Sequence, residues 1–82
     1  MTRILKFERE GCMPCKKLDM ILNKLGIEVE HWNLDTYESE GDINLYQLSS
    51  TPTLVRINND GSFDKLTGIQ HTTSEFKEFC EV

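Results

Sequence analysis

The sequence predicts a single α/β domain, and three patterns support this fold class. An extended apolar run, a helical pattern and a second extended run follow one another, which is a β-α-β unit. Farther along, Asp60-Gly61 lies between two extended runs and signals a β-hairpin. A final amphipathic segment completes the order β-α-β-α-β-β-α. We therefore expect residues 1–82 to form one domain with a four-stranded mixed sheet flanked by three helices.

The first half of the chain contains the β-α-β unit. Residues 3–8 read as the first strand, and Pro14 fits the first turn of the helix that follows, where a missing N–H costs nothing. Gly26 supplies the left-handed position that ends this helix, and residues 27–34 read as the second strand. The helix carries one apolar stripe at i, i+3, i+4 and i+7, formed by Leu18, Ile21, Leu22 and Leu25.

The second half contains a short helix, the hairpin and a last helix. Residues 35–42 are polar and read as a loop, with Asp42 as the N-cap of a short helix whose apolar residues are Ile43, Leu45, Tyr46 and Leu48. Residues 53–57 and 62–67 form the hairpin arms, and Gly68 ends the second arm. Thr72 and Glu75 fit a capping box for the last helix, whose buried stripe is Phe76, Phe79 and Cys80.

Composition excludes several classes of function. The formal net charge is −5 and the basic residues form no stripe, which argues against nucleic acid or an anionic membrane as partner. No apolar run approaches the roughly 20 residues of a spanning helix, and the N-terminus lacks an apolar secretory segment. We therefore expect a cytoplasmic protein. We also expect it to be a monomer. Three cysteines are an odd number, so a disulfide-stapled secreted scaffold is not expected.

Cys12 and Cys15 lie where the first strand gives way to the first helix. A helix N-terminus exposes unpaired N–H groups and the positive end of the helix dipole, which stabilise a thiolate and lower the pKa of a thiol placed there. The second cysteine lies one helical turn farther on, close enough to close a disulfide. A strand, two cysteines at this spacing and a helix are what dithiol–disulfide exchange requires.

Four motifs in order make the chain resemble the thioredoxin superfamily in its minimal form. Residues 12–16 (Cys-Met-Pro-Cys-Lys) are similar to the thioredoxin Cys-Gly-Pro-Cys-Lys motif, and residues 33–35 (Asn-Leu-Asp) to the segment after the next strand. Residues 51–54 (Thr-Pro-Thr-Leu) resemble the cis-proline segment, and residues 76–79 the last helix. The strand before the cysteines resembles glutaredoxins instead, at Phe7, Arg9 and Gly11.

The resemblance implies a protein-disulfide reductase. Cys12 would attack the substrate disulfide, Cys15 would resolve the mixed disulfide, and Lys16 would favour the thiolate. The Thr51–Pro52 bond would be cis, and a substrate chain would pair with Thr51 as an added strand. The expected substrate-binding residues are Met13, Pro14, Thr51, Pro52 and Gly68. No metal and no cofactor beyond the reversible disulfide is expected.

Departures from the family pattern concern the proton acceptor and the reductant. Where thioredoxins bury an aspartate thought to take the proton of the resolving thiol, this chain has Lys6, so the acceptor is missing or supplied elsewhere, with His31 as one candidate. The tryptophan before the first cysteine is replaced by Gly11. Residues 68–70 (Gly-Ile-Gln) lack the second glycine and the acid of the glutathione site, so thioredoxin reductase is the expected reductant and glutathione the alternative. Substrates would be protein disulfides, with ribonucleotide reductase a candidate by analogy.

Other interpretations stay open. A zinc-binding module could use Cys12, Cys15, Cys80 and a histidine, either His31 or His71, as four ligands. For Cys80 itself, however, burial in the core is the expected role. A non-catalytic peptide-binding adaptor is the third interpretation, since one fold can host many functions.

Overall fold

The computed structural model describes residues 3–36 and 40–81. Within them the chain forms four strands and three helices in the predicted order, and the predicted fold class is confirmed. The bounds are β1 Arg3–Glu8, α1 Met13–Leu25, β2 Glu30–Asn33, α2 Glu40–Tyr46, β3 Thr53–Ile57, β4 Phe63–Thr67 and α3 Thr73–Cys80. Across these two described ranges, no helix combines the length and apolar character needed to cross a membrane.

The sheet has the strand order β2-β1-β3-β4. β1 is parallel to β2 and antiparallel to β3, and β3 is antiparallel to β4. The register sets Lys6 of β1 beside His31 of β2 and Leu54 of β3. Since paired residues point to the same face of a sheet, these three side chains share one face.

Each face of the sheet carries its own core. On the face that includes Leu54, α1 and α3 pack over the sheet through Leu18, Leu22, Ile27, Leu54, Phe76 and Cys80. On the other face, α2 and its flanking segments pack through Leu5, Phe7, Leu34, Tyr46, Leu48 and Val55. Successive residues of β1 therefore contribute to opposite cores, and the strand that leads to the cysteines is buried on both sides.

The ends of α1 follow the predicted signals. Cys12 is the N-cap residue, and Pro14 lies in the first turn. Gly26 adopts the left-handed conformation with φ 69°, and its N–H donates to the Asn23 carbonyl at 3.2 Å. A residue with a side chain is strained at this φ, which is why glycine ends the helix here.

The second strand is shorter than predicted. It covers Glu30–Asn33 instead of residues 27–34. The Ile27 N–H donates to the Leu22 carbonyl at 2.9 Å, so the chain stays bonded to the end of α1 while Ile27 is buried in the core beneath that helix. Only from Glu30 onward does the chain run beside Leu5 of β1.

The second helix also departs from prediction. It begins at Glu40, so Asp42 lies within its first turn, where a negative charge favours the helix dipole, and the prediction of Asp42 as N-cap was wrong. Part of the predicted loop, residues 37–39, lies outside the described residues. Ile43 and Tyr46 face the core as predicted, Leu48 is buried just after the helix, and Leu45 is exposed.

The hairpin and the last helix match their signals closely. β4 begins at Phe63, one residue later than predicted. Thr72 caps α3, its hydroxyl accepting from the Glu75 N–H at 3.1 Å while the Glu75 carboxylate accepts from the Thr72 N–H at 3.0 Å. Phe76 and Cys80 are buried, and Phe79 is half-buried beneath the Arg56 guanidinium.

Candidate active site

Cys12 and Cys15 form a disulfide at the N-terminus of α1, with their Cα atoms 5.2 Å apart. The two sulfurs are not equally accessible. Cys12 is half-buried, whereas Cys15 is only 3 % exposed. An external disulfide or thiol can therefore reach Cys12 and not Cys15, which fits the predicted division of roles between them.

The Cys12 sulfur has two hydrogen-bond donors besides the helix dipole. The Cys15 N–H donates to its Sγ at 3.1 Å, and the Thr51 hydroxyl donates to it at 3.5 Å. Donors aimed at a sulfur favour its anionic form, because a thiolate accepts hydrogen bonds more strongly than a thiol. Sequence reasoning assigned only the backbone of Thr51 to the site, and its side-chain contact is an addition.

The loop that delivers Cys12 to the helix is held by Asp35. Its carboxylate accepts from the Glu10 N–H at 3.0 Å and from the Arg9 guanidinium at 2.9 Å. The Glu10 N–H, followed by Arg9, lowers the pKa of Asp35. Gly11, with φ 72°, then makes the turn into Cys12. The motif at residues 33–35 thus has a physical role, which is to fix the approach to the first cysteine.

A groove of about 410 Å³ lies beside the cysteines, lined in part by Pro14, Thr51, Pro52, Gly68, Ile69 and His71. The Thr51–Pro52 peptide bond is cis, as the resemblance implied. The Gly68 N–H donates to the Pro52 carbonyl at 2.8 Å, which joins the two walls of the groove. Four of the five predicted substrate-binding residues therefore line one groove.

The other predicted site residues lie around this groove. Met13 is 61 % exposed and immediately follows Cys12. Lys16 is also exposed, one turn along α1, so its charge acts on the Cys12 sulfur through solvent, where it is strongly screened. The functional roles of all these residues stay predictions.

The four proposed zinc ligands do not come together. Cys80 is buried in the core between α3 and the sheet, and burial raises the pKa of its thiol to about 11. At neutral pH the side chain is therefore a protonated, apolar core residue, as expected from its sequence position. His31 lies on the edge strand β2 with its Nδ1 2.9 Å from Glu8 Oε1.

Lys6 is fully buried in β1, and its charge is compensated by two carboxylates. Its Nζ lies 2.8 Å from Glu8 Oε1 and 2.9 Å from Asp19 Oδ1. Glu8, Asp19 and His31 place their ligand atoms within 4.8 Å of one another, which is close enough to hold a metal ion. The Lys6 ammonium, however, already lies where a cation would sit between both carboxylates, so the residues present do not fit a metal.

Sequence reasoning missed this cluster, defined here as Lys6, Glu8, Asp19 and His31. The sequence did contain one signal for this cluster. Asp19 lies next to Leu18 of the apolar stripe and four residues after Cys15, which places an acid near the inward side of α1. Partial burial works to raise the pKa of Glu8, but the hydrogen bonds and charges of Lys6 and His31 outweigh it, and the pKa lies below its ordinary value.

Comparison with known proteins identifies the class of fold. No protein-family model matches the sequence, and no curated protein sequence matches it. Among solved structures, neighbours of low sequence identity show that the chain has the thioredoxin fold. One is a thioredoxin from Thermus thermophilus, 20 % identical, with a TM-score of 0.69 over 98 % of this chain and 71 % of that one. Another is Trxlp from Edwardsiella tarda EIB202, 19 % identical, with a TM-score of 0.76 over 96 % of this chain and 81 % of that one.

The contact between Thr51 and the sulfur can be tested with Thr51→Val, which removes the hydroxyl and keeps the shape. We expect iodoacetamide to alkylate Cys12 of the reduced variant about threefold more slowly at neutral pH, since the loss of a hydrogen bond worth about 1.5 kcal/mol lowers the thiolate fraction while the remaining thiolate is more nucleophilic. Thr73→Val, at the exposed start of α3, is the matched control and should react at the wild-type rate. Equal rates for all three proteins would mean that the hydroxyl does not act on the sulfur.

The lowered pKa of Glu8 predicts an acid-dependent loss of stability. A carboxyl whose pKa is depressed in the folded state stabilises the protein above its unfolded-state pKa, and this contribution is lost as the pH falls through the folded-state value. Urea unfolding should therefore show a steeper loss of unfolding free energy from about pH 5 to about pH 3 in the wild type than in Glu8→Gln. Glu78→Gln, exposed on α3, removes the same charge and should keep the wild-type slope. Parallel curves for wild type and Glu8→Gln would contradict the prediction.

Proposed function

We propose that this protein is a thiol–disulfide oxidoreductase that reduces disulfides in other proteins. The observation that carries the proposal is the Cys12–Cys15 disulfide at a helix N-terminus, with the accessible sulfur facing two hydrogen-bond donors. A structural disulfide would not need one reachable sulfur with these donors. The thioredoxin-superfamily fold is consistent with this function but does not establish it.

The reaction runs in two exchanges. The Cys12 thiolate attacks one sulfur of the substrate disulfide, forms a mixed disulfide and releases the other substrate sulfur as a thiolate, which takes a proton from water. The Cys15 thiolate then attacks the Cys12 sulfur, which re-forms the Cys12–Cys15 bond and releases the second substrate thiolate. Two electrons pass from the protein to the substrate, and no metal or further cofactor takes part in this proposal.

Geometry favours the second exchange. The Cα atoms of the two cysteines are 5.2 Å apart in the oxidised protein, so the resolving sulfur is already held near its target. Holding a reacting group in place avoids the entropy cost of a second encounter, which accelerates such steps by large factors. Because Cys15 is buried, it is also protected from reaction with other partners.

The groove beside the cysteines supports an extended peptide as substrate. Its walls are formed by the Thr51–Pro52 segment and by Gly68 and Ile69, which are neutral, and exposed Met13 offers a pliable apolar contact next to the reacting sulfur. We propose that a substrate chain lies along Thr51 with its disulfide over Cys12. Protein disulfides in the cytoplasm would be the substrates, ribonucleotide reductase among the candidates.

The assignment can be tested by insulin reduction with dithiothreitol as the electron source. Cys12→Ser should abolish catalysis because it removes the attacking sulfur, and Cys15→Ser should accumulate a mixed disulfide at Cys12. Cys80→Ala changes a free thiol buried in the core between α3 and the sheet and should retain wild-type turnover. Insulin reduction that survives in Cys12→Ser would remove Cys12 from the attacking role.

The reductant can be tested by comparing thioredoxin reductase with NADPH against glutathione with glutathione reductase. We expect recharging by the first system to be faster, because Gln70 and His71 stand in the groove where an acid would be needed to hold glutathione. NADPH consumption during insulin reduction measures both reactions. Rapid turnover with glutathione alone would assign the protein to the glutaredoxin type instead.

A further inference from the structure

The cluster of Lys6, Glu8, Asp19 and His31 lies on the face of the sheet covered by α1, the helix that carries both reactive cysteines. Lys6 has no exposed surface, and a buried charge of this kind is costly unless it is compensated. The mechanism proposed above leaves open where the proton of the buried Cys15 thiol goes. The position of Asp19 relative to Cys15 suggests an answer.

Asp19 lies four residues after Cys15 on α1, which places both side chains on the same side of the helix, one above the other. Helical side chains lean toward the N-terminus, so the Asp19 carboxylate covers the turn that begins at Cys15. Cys15, Leu18 and Leu22 on this side of the helix are buried, and Asp19 Oδ1, itself sealed from solvent, faces the interior on the same side.

The carboxylate oxygen of Asp19 that faces inward is free to accept a proton or a hydrogen bond. Asp19 Oδ1 is sealed from solvent and makes no hydrogen bond with the described residues, because its contact with Lys6 Nζ at 2.9 Å is an ion pair without hydrogen-bond geometry. Elsewhere the side chain is 38 % exposed, and it lines an open groove of about 430 Å³ between α1 and the segment that leads into β2. A proton that the carboxylate accepts in the interior can therefore be released to solvent from the exposed part of the same side chain.

The charged groups around Asp19 come from two strands. Lys6 and Glu8 face it from β1, and His31 of β2 lies with its Nδ1 3.9 Å away. The Lys6 ammonium, at 2.9 Å, holds the Asp19 carboxylate in place as an ion pair. Glu8 contacts the same ammonium, and its Oε1 lies 2.9 Å from His31 Nδ1, so His31 lies closer to Glu8 than to Asp19.

We propose that Asp19 accepts the proton of Cys15 during resolution of the mixed disulfide, with Lys6 as the positioning residue that holds the carboxylate in place. This rests on the proposed function. The Cys15 thiol passes its proton to Asp19, and the resulting thiolate attacks Cys12 and displaces the substrate sulfur with its electron pair. The substrate thiolate is protonated by water, and Asp19 releases its proton to solvent through the groove beside β2.

The two exchanges can be observed separately with 2,2′-dithiodipyridine and the reduced protein. Attack by Cys12 releases one pyridinethione, and resolution by Cys15 releases a second. In Asp19→Asn we expect the first release to keep its wild-type rate and the second to slow by about tenfold or more at pH 7, as for the loss of a general base. The deficit should shrink as the pH rises, because hydroxide then removes the proton without help. A merely structural role for Asp19 would not produce this pH-dependent recovery.

Three further variants sharpen the test. Glu78→Gln is the charge-matched control and should keep both releases at wild-type rates. Lys6→Met, which keeps most of the length of the side chain, should slow the second release at pH 7 with the same recovery at high pH, because the ammonium that holds the carboxylate in place is lost. If this variant does not fold, the comparison of Asp19→Asn with His31→Gln still decides, and His31→Gln should change the second release less than twofold.

The outcomes separate the two proposals. A second release in Asp19→Asn that equals or exceeds the wild-type rate at pH 7 overturns the role of Asp19, since a carboxylate that only repels the Cys15 thiolate would slow the wild type. A deficit found in His31→Gln and not in Asp19→Asn overturns it in favour of the histidine. If the wild-type protein gives no first release at Cys12, the proposed oxidoreductase function itself fails.

Discussion

The N-terminus of α1 is the constraint on which the rest of the site depends. There a cysteine sulfur takes the place of the usual oxygen cap and accepts the Cys15 N–H at 3.1 Å, so the atom that completes the helix is also the atom that would react. The surrounding structure holds this junction in place. β1 is buried on both faces, Asp35 fixes the approach to Gly11, and Thr51 reaches the sulfur from the β3 side.

Most of the fold could be predicted because most of its signals are local. The β-branched run at residues 53–57, the left-handed Gly26 and the Thr72–Glu75 capping box each depend on a few neighbouring residues, and each appears where it was predicted. The limits of β2 and α2 depend on contacts between elements. The bond from Ile27 back to Leu22 delays the start of β2, and nothing in the run from Ile27 to Leu34 reveals that bond.

The candidate site shows the same difference between local sequence signals, which could be predicted, and contacts between elements, which could not. Cys12, Cys15 and the Thr51–Pro52 segment were predicted because the motif and its resemblance mark them directly. The Lys6 cluster was not predicted, because its members come from β1, β2 and α1 and meet only through the register that sets Lys6 beside His31. The sequence has Lys6 where the thioredoxin pattern that it resembles has an acid, but it could not show which groups compensate the charge of this lysine.

That reversal of charge has a structural consequence. A lysine buried in the central part of a sheet needs carboxylates within ion-pair distance, and the period of a strand places Glu8, two residues on, on the same face as Lys6. A second carboxylate must come from the element packed above, which is α1, and Asp19 supplies it one turn after Cys15. The charge of buried Lys6 thus requires an acid on α1, and Asp19, one turn after the resolving cysteine, meets this requirement.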